Sequence, residues 1–460
     1  MSGVKVVTAA AIAVLLLAEM GPVPVLADTI EAALVRSYQN NPQLNAQRAL
    51  VRSTDENVPQ ALSGYRPRAS VTVSGGYQYG DEELTGSKSS IHGTQNPASA
   101  GLTVNQSLFN AQNAPKVRAA ESQVSSAREG LRVLEQTVIL NAATIYMDYL
   151  RDAAIVEVQR SNTRVLEQTL KQTQDRFNVG EVTRTDVAQS EAQLAAGRTQ
   201  QLTAESNLTT TRSNFRRIIG NEPDNLAPGS PVDRFLPATL PAAVDLSLTQ
   251  NPSVTAAMFG VDVNFLQQKV AEGALLPTVG LQAAVSEGYQ SQLSVNRLFT
   301  AAATVNVTVP IYQGGTEYSL IRQSKESLAQ QRLVLEQTRD QARANVVTAW
   351  GQLVAGKAQV TSAQSQVTAS EIALNGVREE AKAGQRTTLD VLNAQQALVN
   401  ARNALVTAQH DRVVASYNVL SAIGRLSPQV LNLKTNVYDP SVHYQQVRDS
   451  WAGVRTPDGR

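Results

Sequence analysis

The chain states one unit twice. Pro42 and Pro252 lie 210 residues apart, as do Pro67 and Pro277, and Tyr79 and Tyr289. Further along the spacing becomes 204: Tyr146 matches Trp350, Gly180 matches Gly384, Asp186 matches Asp390, and Gly220 matches Gly424. Constant offsets over so many landmarks mark a tandem duplication, and an internal repeat constrains architecture before any local motif does. What matters next is what one unit builds, and why two are needed.

The first unit opens with a short helix. Asp28 and Glu31 resemble a capping pair, Ile30, Leu34 and Tyr38 follow at helical spacing, and Asn41-Pro42 ends it. A second helical piece over about 44–62 precedes Pro67. Ala69, Val71, Val73, Gly75, Tyr77 and Tyr79 then alternate with Ser70, Thr72, Ser74, Gly76 and Gln78, a period of two that predicts a strand over 69–79. A polar loop is expected over 80–97 and a second strand over 98–109. The second unit predicts strands over 278–289 and 299–311 with a shorter loop between them, which explains the drop in offset.

After each strand pair comes a long helical hairpin, over about 115–220 and 318–424, turning at Gly180 and Gly384. Val391, Ala394, Leu398, Ala401, Leu405 and Ala408 fall at heptad spacing, a coiled-coil seam of alternating large and small knobs. A helix of about 65 residues is about 100 Å long, more than a globular domain needs, so it acts as a spacer. The organisation is thus a first repeat over 28–220, a proline-rich connector over 221–241, a second repeat over 242–424 and a tail over 425–460 without clear periodicity. Residues 1–27 read as a secretory signal: Lys5, the apolar run Val6–Leu17, and Val25-Leu26-Ala27 ahead of Asp28. The competing reading is a membrane anchor, for which that run is short.

Composition narrows the function. Net charge is +1, so no broad basic face for nucleic acid is implied. Aromatics make up 5% of the chain, thin material for a thick core but suited to long helices meeting through small residues. There is no cysteine, hence no disulfide and no lipidated N-terminal cysteine. His92, His410 and His443 are scattered without zinc spacing, and no nucleophile elbow, phosphate loop or HExxH is present, so neither metal, cofactor nor enzyme is expected.

Four strands, apolar on one side and polar on the other, admit a soluble sheet packed on helices or a membrane barrel with lipid outside and water inside. Tyr77, Tyr79, Tyr289 and Phe299 lie near strand ends, where interfacial aromatics sit in a barrel. Four strands cannot close, and an open edge in lipid leaves backbone groups unpaired. A membrane reading therefore requires several chains in one barrel, and three would supply twelve strands.

This order of elements resembles the TolC family of bacterial outer-membrane channel proteins. The resemblance spans roughly 28–430 and rests on NNP and QNP in the short helices, YRP and LLP before the strands, and NVGEVTRTDV and KAGQRTTLDVLNAQQAL at the turns. It implies an α+β membrane protein whose homotrimer forms a twelve-stranded β-barrel in outer-membrane lipid above an α-helical periplasmic tunnel. Its implied partners are a periplasmic adaptor and an inner-membrane ABC or RND pump, for type I protein secretion or multidrug efflux. The lack of an N-terminal cysteine is similar to the unlipidated branch. A non-channel envelope coiled coil, such as an adhesin stalk, is the alternative.

The resemblance also assigns the turns. Asp390 matches an acidic ring facing the bore, whose second acid is here Asn393; a helix N-terminal charge is the plainer role. Arg386 matches a tip arginine of the closed state, with Asp186 and Thr185 as its partners on the neighbouring hairpin. Exposed loop charges of little energetic effect are the plainer reading there. Gly180 and Gly384 mark the turns where an adaptor docks.

Overall fold

A computed structural model of the protein describes residues 28–83, 90–293, 295–457 and 459; the expected signal peptide lies outside the described residues. The first unit comprises α1 (Ile30–Asn40), α2 (Pro42–Asp55), α3 (Asn57–Leu62), β1 (Arg68–Gly75), β2 (Gln78–Glu83), β3 (Ser90–Gln95), β4 (Ala98–Asn110), α4 (Asn113–Asn178) and α5 (Arg184–Ile219). The second comprises α6 (Leu240–Gln250), α7 (Pro252–Gly273), β5 (Thr278–Gln292), β6 (Val295–Thr308), α8 (Thr316–Lys382) and α9 (Thr388–Ala422), and α10 (Ser441–Val447) lies in the tail.

The duplication is visible in local chemistry. Asn41 and Asn251 each cap the following helix with their side-chain oxygen and are followed by proline at its first position, where no amide is needed. Gly220 and Gly424 follow the last helix of each unit at φ 97° and 82°, a left-handed conformation that glycine adopts without strain. The two units then join in one antiparallel sheet, in the order β1-β4-β5-β6, with the repeats meeting between β4 and β5.

Several strand boundaries differ from expectation: β5 runs on to Gln292 and β6 begins at Val295, past the expected 289 and ahead of 299, and two others fall short. β1 stops at Gly75, and β2 and β3 form a separate two-stranded ladder over part of the expected loop. The break falls at Gly76-Tyr77 opposite Asn96-Pro97, where a proline cannot donate to a ladder and the Gly76 amide bonds across to Pro97 O at 2.8 Å. At the other side β6 ends at Thr308, short of the expected Ile311, just ahead of Pro310.

The core lies where the units meet in the helical layer. Tyr146, Phe215, Ile139, Leu420 and Ile423 are fully buried there, with Trp350, the repeat partner of Tyr146, packed against them. The Tyr146 hydroxyl donates toward the carbonyls of Asp28 and Ala227, at 2.8 and 2.6 Å, fastening the segment ahead of α1 and the connector to α4. The heptad seam forms as expected: Leu398 and Ala401 of α9 close against Val367 and Leu374 of α8, with Val391, Ala394 and Leu405 alongside.

The tail, without periodicity in the sequence, is strapped along α2 and α4. Arg48 stacks on both Tyr38 and Tyr438, Arg128 on Tyr444, and Arg66 on Trp451. Beneath the strap Asp55 is fully buried, and its Oδ2 lies 3.0 Å from His443 Nδ1. His410 is buried between the two units, with its ring nitrogens 2.9 Å from Asp148 and 2.8 Å from Asp411. Two of the three histidines are therefore structural, each held by carboxylates.

Candidate functional site

Two regions stand out, the sheet at one end of the helices and the turns at the other. Across the sheet, Ala69, Val104, Ala283 and Ala303 share one row, and Val71, Leu102, Val285 and Ala301 the next. This apolar face is uncovered: Val71, Val73 and Val307 are 71%, 76% and 62% exposed. The opposite face carries Ser70, Thr103 and Ala284 in one row, and Thr72, Gly101, Ser286 and Thr300 in another. Tyr77, Tyr79, Tyr289 and Phe299 are all exposed and gather toward the sheet end remote from the long helices. β4, β5 and β6 have 13, 15 and 14 residues, enough to cross a hydrocarbon layer when tilted. β1 and β6, the outer strands, each have one side unpaired among the described strands.

At the far end the two hairpins turn at Gly180 and Gly384, with φ 82° and 74° and open space where a Cβ would lie. Glycine is needed there for its backbone, not for packing. Both following helices start with a capping box. Thr183 and Asp186 exchange bonds at α5; at α9 the Thr387 amide and hydroxyl donate to Asp390 Oδ2 at 3.0 and 2.9 Å, and the Asp390 amide returns a bond to Thr387 Oγ1 at 3.2 Å. These bonds from Thr387 hold the Asp390 carboxyl below the usual range, with Arg386 adding a smaller pull. Bonds from Thr183 do the same for Asp186. Asp390 is thus a helix cap and a fixed negative charge at once.

The latch residues are each engaged within their own hairpin. Arg386 Nε donates to Glu380 Oε2 at 2.9 Å, which raises its pKa further, while Asp186 is held by Thr183 and Thr185 is exposed in the first turn of α5. Within one chain, then, the structure joins Arg386 to Glu380, not to Asp186 or Thr185. Asn393 is exposed one turn beyond Asp390. The first hairpin has its own tip pair, Arg176 to Glu181 at 3.0 Å. Arg176 occupies the repeat position of Glu380, so the two tip pairs run with opposite polarity.

Glu380, Thr183 and Thr387 were not singled out from sequence, although the T-x-x-D signature of a capping box stands in both turns. Also unforeseen is the polar seam between the hairpins. Gln395 bonds to Asn162 at 3.2 Å and accepts from Arg378 at 3.0 Å, and Gln193 bonds to Gln396 at 3.1 Å. Nearer the core, burial disfavours a charged His410, but the bonds to Asp148 and Asp411 outweigh it and raise its pKa; burial likewise pushes Asp148 up, and the bonds from His410 and Arg151 bring it below the usual range. Among the described residues no helix is long and apolar enough to cross a membrane, and no cluster of three metal-ligating side chains occurs.

Comparison with known proteins matches each unit separately. The family model described as outer membrane efflux protein fits residues 33–221 and again 243–425. The chain is 38% identical to the outer membrane efflux protein BepC of Brucella suis biovar 1 (strain 1330) over 95% of this chain and 94% of that protein. It is 26% identical to the outer membrane protein TolC of Escherichia coli (strain K12), over 89% and 85% respectively. Its fold matches the Campylobacter jejuni CmeC outer membrane channel with a TM-score of 0.78 and 16% identity, over 91% of this chain and 89% of that one.

Proposed function

The chain belongs to the outer membrane efflux protein family, and on that premise we propose that three copies close one shared twelve-stranded barrel in the outer membrane, above a helical tunnel through the periplasm. The open sheet carries this reading. Its apolar face is uncovered and its two outer strands lack partners, a combination that water and lipid both penalise until further strands complete the ring. α4 and α8, with 66 and 67 residues, are each about 100 Å long and give the tunnel its reach. The polar sheet face lines the bore. The duct does no chemistry; an inner-membrane ABC or RND pump delivers cargo through a periplasmic adaptor, in type I secretion, multidrug efflux or both. An adhesin-like stalk has no use for a lipid-facing sheet, and family membership favours the duct.

The test is conductance of the purified mature protein in a planar bilayer. Stepwise, cation-selective openings are expected from a species that cross-links as a trimer. A monodisperse monomer without conductance sinks the proposal.

In the trimer the tips form the gate. Asp390, with Asn393 behind it, supplies the acidic ring, and Gly180 and Gly384 present the adaptor-docking turns. Asp390→Ala is expected to lower cation preference. Thr387→Ala breaks the same cap but keeps the charge, and should leave selectivity in place; equal loss in both reduces Asp390 to a cap. Arg386 spends its Nε on Glu380, so a latch onto Asp186 and Thr185 of a neighbouring copy competes with Glu380 for the guanidinium. Single-channel open probability should therefore rise in Arg386→Ser and fall in Glu380→Gln, and a shift of the same sign in both contradicts the exchange.

A further inference from the structure

The polar face of the four-stranded sheet is made chiefly of hydroxyls, amides and small residues, with Leu298 at its far end, and among its described residues Arg68 alone carries a charge. Arg68 opens β1 opposite Asn105, at the end of the sheet next to the helices. A cavity of about 560 Å³ lies there between the sheet base, α3 and the start of α4, lined among others by Arg68, Lys116, Asn105, Gln282 and Asn306. Arg66 also borders it, but its guanidinium is held by Ser450 O and the Trp451 ring. No carboxylate lines this cavity. Glu317 borders the adjoining one, which shares Lys116. Lys116 donates to the neutral amide oxygen of Gln112 at 3.2 Å, so that contact leaves its charge uncompensated. The segment 309–315, which follows the opposite edge strand and would approach β1 across a subunit seam, has no acidic residue.

We propose that Arg68 and Lys116, with the side-chain amides of Asn105, Gln282 and Asn306, form an anion-binding subsite on the duct wall at the periplasmic mouth of the barrel, taking the carboxylate or phosphate groups of passing solutes. The inference rests on the reading that the polar sheet face lines the bore. Guanidinium, ammonium and amide N–H groups are all donors, and the two cations set the sign of the partner. Repeated in three copies, the subsite makes a positive ring in an otherwise uncharged stretch, where low-dielectric walls focus the field. The duct then carries fixed charge of opposite sign at two levels, acidic at the Asp390 tips and basic at the barrel mouth, so a solute meets both in turn.

Inorganic pyrophosphate is the probe. Two measurements at low ionic strength use the full-length mature protein: titration calorimetry in detergent, and block of bilayer current by pyrophosphate added from the barrel side. Arg68→Gln combined with Lys116→Gln is expected to weaken both binding and block about tenfold. Arg217→Gln, which removes an exposed positive charge at the end of α5, should change neither. No binding by the wild-type protein, or equal weakening by Arg217→Gln, overturns the subsite. A protein that binds pyrophosphate through Arg68 and Lys116 but never conducts, even with Arg386→Ser to free the tips, upholds the subsite and refutes the duct.

Discussion

Gly424→Ala is expected to cost about 3–5 kcal/mol of folding stability, and Gly220→Ala, its repeat partner, only about 1 kcal/mol. Both glycines have positive φ, so both replacements carry backbone strain. They differ in surroundings. At Gly220 a Cβ meets nothing, whereas at Gly424 it would fall 2.4 Å from Asn251 Cα and 2.8 Å from Gln250 O. Those are backbone atoms at the junction of α6 and α7, and they cannot swing aside as a flexible side chain would. The junction is tightly fastened: Asn251 Nδ2 donates to Ala422 O at 2.9 Å, and Gln136 Nε2 to Gly424 O at 2.8 Å. Urea unfolding of the detergent-solubilised protein, followed by helical circular dichroism, gives the comparison. Equal midpoint shifts for the two variants would remove the close approach as the cause.

The second large effect concerns the strap. His443→Leu removes the nearest hydrogen-bond partner of Asp55 and leaves a fully buried acid facing Arg128, 3.8 Å away, with a weaker pull from Arg52. A loss of about 3 kcal/mol at pH 7.5 is expected, in the range seen when one member of a buried pair is deleted. The pH dependence has a definite sign. Burial raises the Asp55 pKa, and the bond from His443 and the charge of Arg128 only partly oppose it. A group with a raised folded-state pKa stabilises fully below its unfolded value, and that contribution is lost as pH rises through the folded value. Deleting His443 raises the folded value further. The deficit should be largest near neutrality and shrink as pH falls toward the ordinary carboxylate range, about pH 4. Asp55→Leu combined with His443→Leu should recover part of the loss at pH 7.5, since the buried carboxylate is gone and Arg128 keeps some access to water. Protease release of the tail at pH 7.5 and 5 reads both effects; a deficit that grows on acidification contradicts the assignment.

Repetition made the helices and the sheet pattern legible. A period of two in residues such as Val71 and Val73 and a heptad in Leu398 and Ala401 are properties of neighbours in sequence, and the duplication supplied each signal twice. The β2–β3 ladder was missed because its residues are glycine-rich and polar and carry no alternation of hydropathy; its limits come from Pro97 and the glycines facing it. The tail was missed because Arg48, Arg66 and Arg128 hold it through aromatic faces hundreds of residues away, and no local pattern encodes such a clamp. At the tips, the cap residues could be read as T-x-x-D, but the bond from Arg386 to Glu380 depends on how the turn at Gly384 folds back.

The join between β4 and β5 also orders events in time. Asn110 pairs with Thr278, 168 residues later in the chain, and Ala98 with Tyr289. Bringing these strands together closes a long loop, which is slow compared with forming helices from local contacts. The two long helical hairpins can therefore assemble while the strands are still apart, before the greasy face of the sheet is complete. On the barrel reading proposed above, a chain whose sheet zips late keeps its most aggregation-prone surface unbuilt through the earlier steps of assembly, and completes it close to the step at which it meets the bilayer.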